Sequence, residues 1–186
     1  SWLLKKVNYQ RPPEESVFQL EHAGDGVDRL AAIDELQWVV DSAAVLAALG
    51  KAMLEDPFSE VRRDAVWALG DVKNTDVSEQ LIKAYGDRDP RVRTASVTSL
   101  GRCRGEKVVK TLLHAFEADS SYAVAAAALR SLTLVDSVNR KAYCQQALRR
   151  DSYQEVIRST ALQGLADIGD GDALSAVRSY TRYGLD

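Results

Sequence analysis

The sequence predicts an all-α fold, a right-handed α-α superhelix (solenoid) of about five helical hairpins plus a final helix, with a short strand-like segment in front. Two observations predict it. Apolar side chains make up 46% of the 186 residues, enough for a substantial core, whereas 11 Gly and 4 Pro are few for an all-β protein of this length. The second observation is an internal repeat of about 32 residues, a period typical of stacked helical units.

The repeat is marked by a leucine that recurs at steps of 31 to 33 residues, namely Leu36, Leu69, Leu100, Leu132 and Leu165. An aliphatic column lies three residues before it: Ile33, Val66, Val97, Leu129 and Leu162. A small column lies four before it: Ala32, Ala65, Ser96, Ala128 and Ala161. Another aliphatic column lies three after it: Val39, Val72, Cys103, Val135 and Ile168. Positions three and four apart share a helix face, so each repeat is predicted to bury this face of one helix.

A second amphipathic segment lies between successive leucine-bearing helices. Two examples are Val77, Leu81, Ile82 and Tyr85, and then Val109, Leu112, Leu113 and Phe116. Each unit is therefore predicted to be a helix, a turn and a second helix, and units must stack because one hairpin cannot cover both of its faces. The first helix opens at Glu14, and a final helix over Asp172–Tyr183 is expected to close the C-terminal end.

Residues at the predicted helix ends have the expected chemistry. Gly70 and Gly101 directly follow the repeat leucine, where a helix C-terminus often needs left-handed geometry. The pairs Asp56-Pro57 and Asp89-Pro90 predict an Asp cap followed by a proline in the first turn.

These motifs resemble HEAT repeats. The resemblance rests on Val61-Arg62-x-x-Ala65-x-x-x-Leu69-Gly70 and on Asp87-x-Asp89-Pro90-x-Val92-Arg93-x-x-Ser96-x-x-x-Leu100-Gly101, and it extends over about residues 14–183. The variety is the short one of phycobilisome-lyase type, because the period is below the 40 to 47 residues or so of long HEAT units. The resemblance implies that the leucine-bearing helices line a concave face, and it is specific for fold but not for function.

An arginine column lies seven residues before the leucine: Arg29, Arg62, Arg93, Ala125 and Arg158, where Ala125 departs from the repeat. The resemblance implies that this arginine pairs with an acidic residue near the turn. Asp56, Asp87 and Asp119 each lie six residues before the column. Arg62 and Arg93 are therefore interpreted as struts between repeats in preference to ligand-binding residues.

The domain organisation is predicted as an extended segment from a preceding domain over residues 1–13 and a HEAT-like repeat domain over residues 14–186. Trp2–Tyr9 is typical of a β-strand, and Arg11-Pro12-Pro13 would end it. Without an initiator Met or a signal-peptide pattern, the sequence is expected to be cut from a longer protein.

The junction resembles that of bacterial relatives of the aminopeptidase N family, in which a β-domain leads into helical repeats. The matching residues are Trp2–Tyr9, Gln19-Leu20 and Arg29–Leu36. The resemblance implies that the parent protein is a zinc metallopeptidase and that this region is its C-terminal helical domain, which helps to bound the substrate cavity.

The sequence predicts no catalytic, metal or cofactor site in this chain. A zinc peptidase helix needs H-E-x-x-H, and the chain has only His22, at a helix end, and His114, interpreted as a structural or boundary histidine. The cysteines, Cys103 and Cys144, are too few for a disulfide framework and are expected to be core residues. They fit a cytoplasmic or a periplasmic location equally well. Asp-containing turns at Gly24–Gly26 and Gly169–Asp172 lack the ligand series of a calcium loop and are interpreted as turns.

Charge and hydropathy restrict the partners. The formal net charge of -3 gives no overall attraction for phosphate backbones, so nucleic-acid binding is kept only as the alternative function. No run of about 18 apolar residues occurs, so no membrane span is predicted. The leading hypothesis is a non-catalytic scaffold for contact with another protein or with a preceding domain.

The predicted contact surface lies on the leucine-bearing helices. The column two residues before the leucine reads Asp34, Trp67, Thr98, Arg130 and Gln163, and the column two after reads Trp38, Asp71, Arg102, Leu134 and Asp167. Tryptophan and arginine are common anchors of interfaces. Trp67, Trp38, Arg63, Arg102 and Arg130 are therefore the candidate partner-binding residues, and packing of both indoles on neighbouring repeats is the alternative.

Overall fold

A computed structural model describes residues 11–72, 74–151 and 153–180 of the chain, and eleven α-helices account for most of them. These are α1 Pro13–His22, α2 Gly26–Leu36, α3 Ala43–Glu55, α4 Ser59–Leu69, α5 Thr75–Ala84, α6 Pro90–Leu100, α7 Glu106–Ala118, α8 Tyr122–Val135, α9 Arg140–Ala147, α10 Val156–Ile168 and α11 Gly171–Tyr180. The described residues contain no β-strand. The predicted strand Trp2–Tyr9 lies outside them.

The helices form two compact units, residues 1–72 and residues 73–186. The first unit holds the hairpins α1/α2 and α3/α4. The second holds α5/α6, α7/α8 and α9/α10, followed by α11. Five hairpins and a final helix confirm the predicted all-α repeat fold. The first helix begins at Pro13, one residue earlier than expected, and the predicted domain boundary after residue 13 stays a prediction.

The leucine column forms the centre of the core in each repeat. Its five side chains, Leu36, Leu69, Leu100, Leu132 and Leu165, are fully buried, and every residue of the small column is buried beside them. Small side chains let the leucine-bearing helices pack directly on one another, α2 on α4 in the first unit and α6 on α8 and α8 on α10 in the second. Each buried leucine contributes about 1.5 to 3 kcal/mol of hydrophobic free energy.

The partner helix of each hairpin buries its own apolar stripe. In α5 the buried residues are Val77, Leu81 and Ala84, as the periodicity predicted. In α7 the stripe is centred on Val108, Leu112 and Phe116, so the predicted Val109 and Leu113 lie half-buried on its flank.

The prediction of left-handed glycines after the repeat leucine was wrong. Gly70 has φ -63° and Gly101 has φ -60°, both in the right-handed region. The helices end in tightened turns, because Gly101 N donates to Thr98 O at 3.1 Å and Gly70 N donates to Trp67 O at 3.1 Å. Gly101 is instead required by a close approach, since a Cβ there would lie 2.7 Å from Ser131 Oγ.

The Asp-Pro prediction was right for one pair and wrong for the other. Asp89 is the N-cap of α6, where its carboxylate accepts from Arg91 N, and Pro90 is the first helical residue. Helix α4, in contrast, begins two residues after Pro57, at Ser59. The Asp56 carboxylate accepts from Phe58 N at 2.9 Å and orders the turn instead of capping the helix.

Candidate functional site

The repeat arginines tie neighbouring hairpins together. Arg29, which is buried, donates from Nε to Asp56 Oδ2 at 2.7 Å and from Nη2 to Asp56 Oδ1 at 3.2 Å. Its Nη1 donates to Ala23 O at 2.6 Å, in the turn of its own hairpin. The guanidinium therefore joins a backbone carbonyl of one repeat to a carboxylate of the next.

Arg93 repeats this arrangement in the second unit. It donates from Nε and Nη2 to the two oxygens of Asp119, each at 2.9 Å, and from Nη1 to Asp87 O at 3.0 Å. Burial acts to raise the pKa of Asp119, but the hydrogen bonds from Arg93 and from Ser121 N outweigh it, and that pKa is lowered. The acid six residues before each arginine thus offers its backbone carbonyl, while the carboxylate partner comes from the following repeat.

These contacts confirm the strut interpretation for Arg93. Arg62 is also buried and donates from Nη1 to Asp56 O at 2.8 Å, the equivalent carbonyl contact. The guanidinium groups of the column are therefore held by the fold.

The fourth repeat lacks the arginine, and other arginines surround the gap. Ala125 is fully buried, and Arg150, from the turn after α9, donates to Phe116 O. The Arg150 guanidinium also lies 5.0 Å from the centre of the Phe116 ring. In the last hairpin Arg158 pairs within its own repeat, with Asp151 at 3.2 Å.

Two columns of the leucine-bearing helices face solvent. The column two residues after the leucine is exposed in all five repeats, and the column two before it is exposed in four of them, with Thr98 half-buried. Trp38 is 81% exposed and Trp67 is 40% exposed. The prediction that these columns face solvent is confirmed, and neither indole is buried between repeats.

The structure brings three of the five candidate residues onto one surface. Trp38 directly follows α2, and Arg63 and Trp67 lie on α4, which packs against α2 in the first unit. Arg63 is half-exposed and is paired with its neighbour Asp64 at 2.8 Å. Arg102 and Arg130 are exposed in the second unit, so their proximity to Trp67 stays a prediction.

Sequence reasoning overlooked two carboxylates on the same surface. Asp34 precedes Trp38 by four residues on α2, and Asp71 follows Trp67 by four residues after α4; both are exposed. Asp34 occupies the column of Trp67, and Asp71 occupies the column of Trp38. The column listing already contained this signal, since residues four apart on a helix are neighbours.

The remaining candidate groups serve the fold. Burial raises the pKa of Cys144 to about 11 and also raises that of Cys103, so both thiols are largely protonated near neutral pH. In the turn before α11 the Asp170 carboxylate accepts from Ala173 N at 2.8 Å, and Lys141 Nζ lies 3.0 Å from Asp170 and 3.1 Å from Asp172.

Two searches of the described residues gave negative results. No group of three or more His, Cys, Asp or Glu side chains lies together in a way that would hold a metal ion. None of the helices described has the length and apolar character needed to cross a membrane.

The hairpins, the leucine core and the arginine struts define a HEAT-type, armadillo-like helical repeat domain. The family profile for HEAT repeats matches residues 46–133. A search of curated proteins found no significant match.

Two solved structures show the same fold. One is a chain in the complex of CpcE and CpcF of phycocyanin lyase from Nostoc sp. PCC7120, with a TM-score of 0.64 at 21% identity over 84% of this chain. The chain spans 65% of that protein's length. The other is a designed armadillo repeat protein in complex with the peptide (KR)4, with a TM-score of 0.53 at 18% identity over 91% of this chain and 87% of that chain. The aminopeptidase relationship stays a prediction.

Proposed function

We propose that this repeat domain is a non-catalytic scaffold that binds another protein, or a segment of its own parent protein, through the exposed columns of its leucine-bearing helices. The observation that carries the proposal is the exposure of Trp38 and Trp67. Each stands in a column that is mostly polar in the other repeats.

The two indoles are suited to an interface because of their size and position. An exposed tryptophan leaves a large apolar surface in water, and its burial by a partner is a frequent source of binding free energy. Both are presented by helices whose cores are fully buried, so they are held on a rigid support. Arg63, Arg102 and Arg130 lie in or next to the same columns and are proposed as flanking polar contacts.

The internal contacts of the fold also support a binding role. The repeat arginines are engaged with carboxylates and carbonyls, which leaves recognition to the other columns. The similar solved structures are both complexes, one of two lyase proteins and one with a peptide. We extend only the use of the repeat surface for binding from them to this chain.

A peptide-display selection on the immobilised chain tests this proposal. A random library is enriched on the chain and counter-selected on the double variant Trp38→Ala/Trp67→Ala. We expect enriched peptides that bind the chain and bind the double variant at least about 30-fold more weakly, as for hot-spot residues. Enrichment of peptides that bind both proteins equally, or of none, contradicts the proposal.

We further propose that the parent protein is a zinc aminopeptidase and that the partner is its preceding domain. The support is the resemblance of Trp2–Tyr9, Gln19-Leu20 and Arg29–Leu36 to that family. The sequence upstream in the parent gene tests it. An H-E-x-x-H motif with a Glu about 20 residues later is expected, and its absence contradicts this part of the proposal without affecting the binding role.

A further inference from the structure

The charge of the chain is unevenly distributed between its two units. Residues 1–72 carry 7 basic and 13 acidic side chains, a formal charge of -6, whereas residues 73–186 carry 17 basic and 14 acidic ones, a charge of +3. The net charge of the whole chain hides this difference. Both described tryptophans belong to the acidic unit, so a partner that covers them meets a negative potential.

Within that unit, two indoles and two carboxylates alternate on neighbouring helices. We call Asp34, Trp38, Trp67 and Asp71 the Trp-Asp quartet. Along α2 and the turn that follows it, Asp34 is four residues before Trp38, and along α4 Trp67 is four residues before Asp71. Because α2 packs directly on α4 with Leu36 and Leu69 in equivalent positions, Asp34 lies in the column of Trp67 and Asp71 in the column of Trp38.

The two turns keep this register because they close in the same way. Val39 N donates to Leu36 O, and Val72 N donates to Leu69 O, each at 3.0 Å. The C-cap residues Gln37 and Gly70 both have right-handed backbone angles. Trp38 and Asp71 therefore continue their helices by one turn on the same side.

The hydrogen bond at Asp34 leaves the negative charge of this carboxylate in place. Asp34 Oδ1 accepts from the neutral amide of Gln37 at 2.7 Å, a contact that does not cancel the charge. The candidate cation of the same unit, Arg63, is paired with Asp64. A surface of this kind does not favour the acidic partner groups that the arginines alone would suggest.

We infer that the quartet binds a cationic segment of the partner, with lysine or arginine side chains stacked on Trp38 and Trp67 and ion-paired with Asp34 and Asp71. The inference rests on the proposed binding function and specifies the partner's chemistry. A cation above an indole face is attracted by the ring's negative charge density, and an adjacent carboxylate adds to that attraction. Arginine suits both contacts, because its planar guanidinium stacks on rings and donates two parallel hydrogen bonds to a carboxylate.

The test measures binding of three synthetic octapeptides to the whole chain by calorimetry at about 0.15 M salt, where long-range attraction is largely screened. One peptide alternates lysine and arginine, the second has glutamine at every position, and the third alternates glutamate and aspartate. The variants are Asp34→Asn, Trp38→Ala and, as a matched control, Glu21→Gln, which removes one exposed carboxylate of the same unit from α1. The Asp34→Asn substitution keeps a side-chain oxygen that can accept from the Gln37 amide.

We expect only the basic peptide to bind, Asp34→Asn and Trp38→Ala each to weaken it by about tenfold, and Glu21→Gln to change it by less than about twofold. Equal losses for Asp34→Asn and Glu21→Gln would overturn the inference, because they indicate general attraction to an acidic unit. Trp38-dependent binding of the glutamine or acidic peptide would overturn the cationic specificity and leave the proposed scaffold function standing. If none of the three binds, the inference fails, and the display selection decides the proposed function separately.

Discussion

Arg93 and Asp119 lie 26 residues apart in consecutive repeats and are joined by two hydrogen bonds of 2.9 Å. Both side chains are largely buried, and Arg93 also holds the Asp87 carbonyl of its own repeat. One guanidinium thus fixes the spacing and orientation of two hairpins. The Arg29–Asp56 pair has the same geometry in the first unit.

Asp119→Asn should destabilise the fold by about 2 to 4 kcal/mol at pH 7, because it leaves a largely buried guanidinium without its charge partner. The pKa of Asp119 is lowered in the folded chain, so its contribution is present above the unfolded value of about 4 and is lost as pH falls through the lower folded value. Urea unfolding of both proteins at several pH values checks this.

The difference between Asp119→Asn and the unchanged chain should therefore be constant from about pH 6 to 8 and shrink below about pH 4. A control is Asp172→Asn, whose carboxylate is mostly exposed beside Lys141 and should contribute less than about 1 kcal/mol. A difference for Asp119→Asn that does not depend on pH would contradict the ion-pair explanation.

Leu100→Ala should cost about 2 to 5 kcal/mol, since Leu100 is fully buried in the leucine column and its truncation leaves a cavity. Leu134→Ala is the matched control, because Leu134 is 61% exposed and its loss should change stability by less than about 0.5 kcal/mol. Denaturation midpoints measure both. Similar effects of the two substitutions would show that the repeat register is wrong.

Gly101→Ala should destabilise the second unit by about 1 to 2 kcal/mol through overpacking, although its backbone angles suit alanine. The added Cβ would lie 2.7 Å from Ser131 Oγ and 3.0 Å from Ser131 Cβ, so α6 and α8 would have to move apart. The second substitution Ser131→Gly should recover most of the loss. Gly24→Ala, where a Cβ meets nothing within 4 Å, should be close to neutral. A neutral Gly101→Ala would indicate that α6 and α8 are less closely packed.

The helical repeat was predictable because its columns have a direct physical meaning and recur five times. The leucine column is buried, and the columns two residues on either side are exposed. The partner of each arginine was harder to predict from spacing. Asp119 lies six residues before Ala125 and also 26 residues after Arg93, and only the packing of consecutive hairpins selects the second relation.

The conformation of the glycines and the binding surface were beyond simple pattern reasoning for related reasons. Gly101 follows a helix, which suggests a left-handed cap, but its requirement comes from Ser131 in the next hairpin, 30 residues away. The exposed tryptophans were identified from their polar columns. The alternation of Trp38 and Trp67 with Asp34 and Asp71 emerged only once α2 and α4 were known to pack directly together.

The central claim is that the exposed tryptophans serve binding, and it is tested most directly by measuring the free energy of unfolding and the peptide affinity of Trp67→Ala on the same samples. Trp67 is 40% exposed, so its truncation should cost at most about 2 kcal/mol in urea unfolding, less than the roughly 3 to 5 kcal/mol of a core tryptophan. Affinity for peptides selected on the chain should fall at least about 30-fold, as at an interface hot spot. A stability loss of about 3 to 5 kcal/mol with unchanged affinity would contradict the account and assign Trp67 to the core.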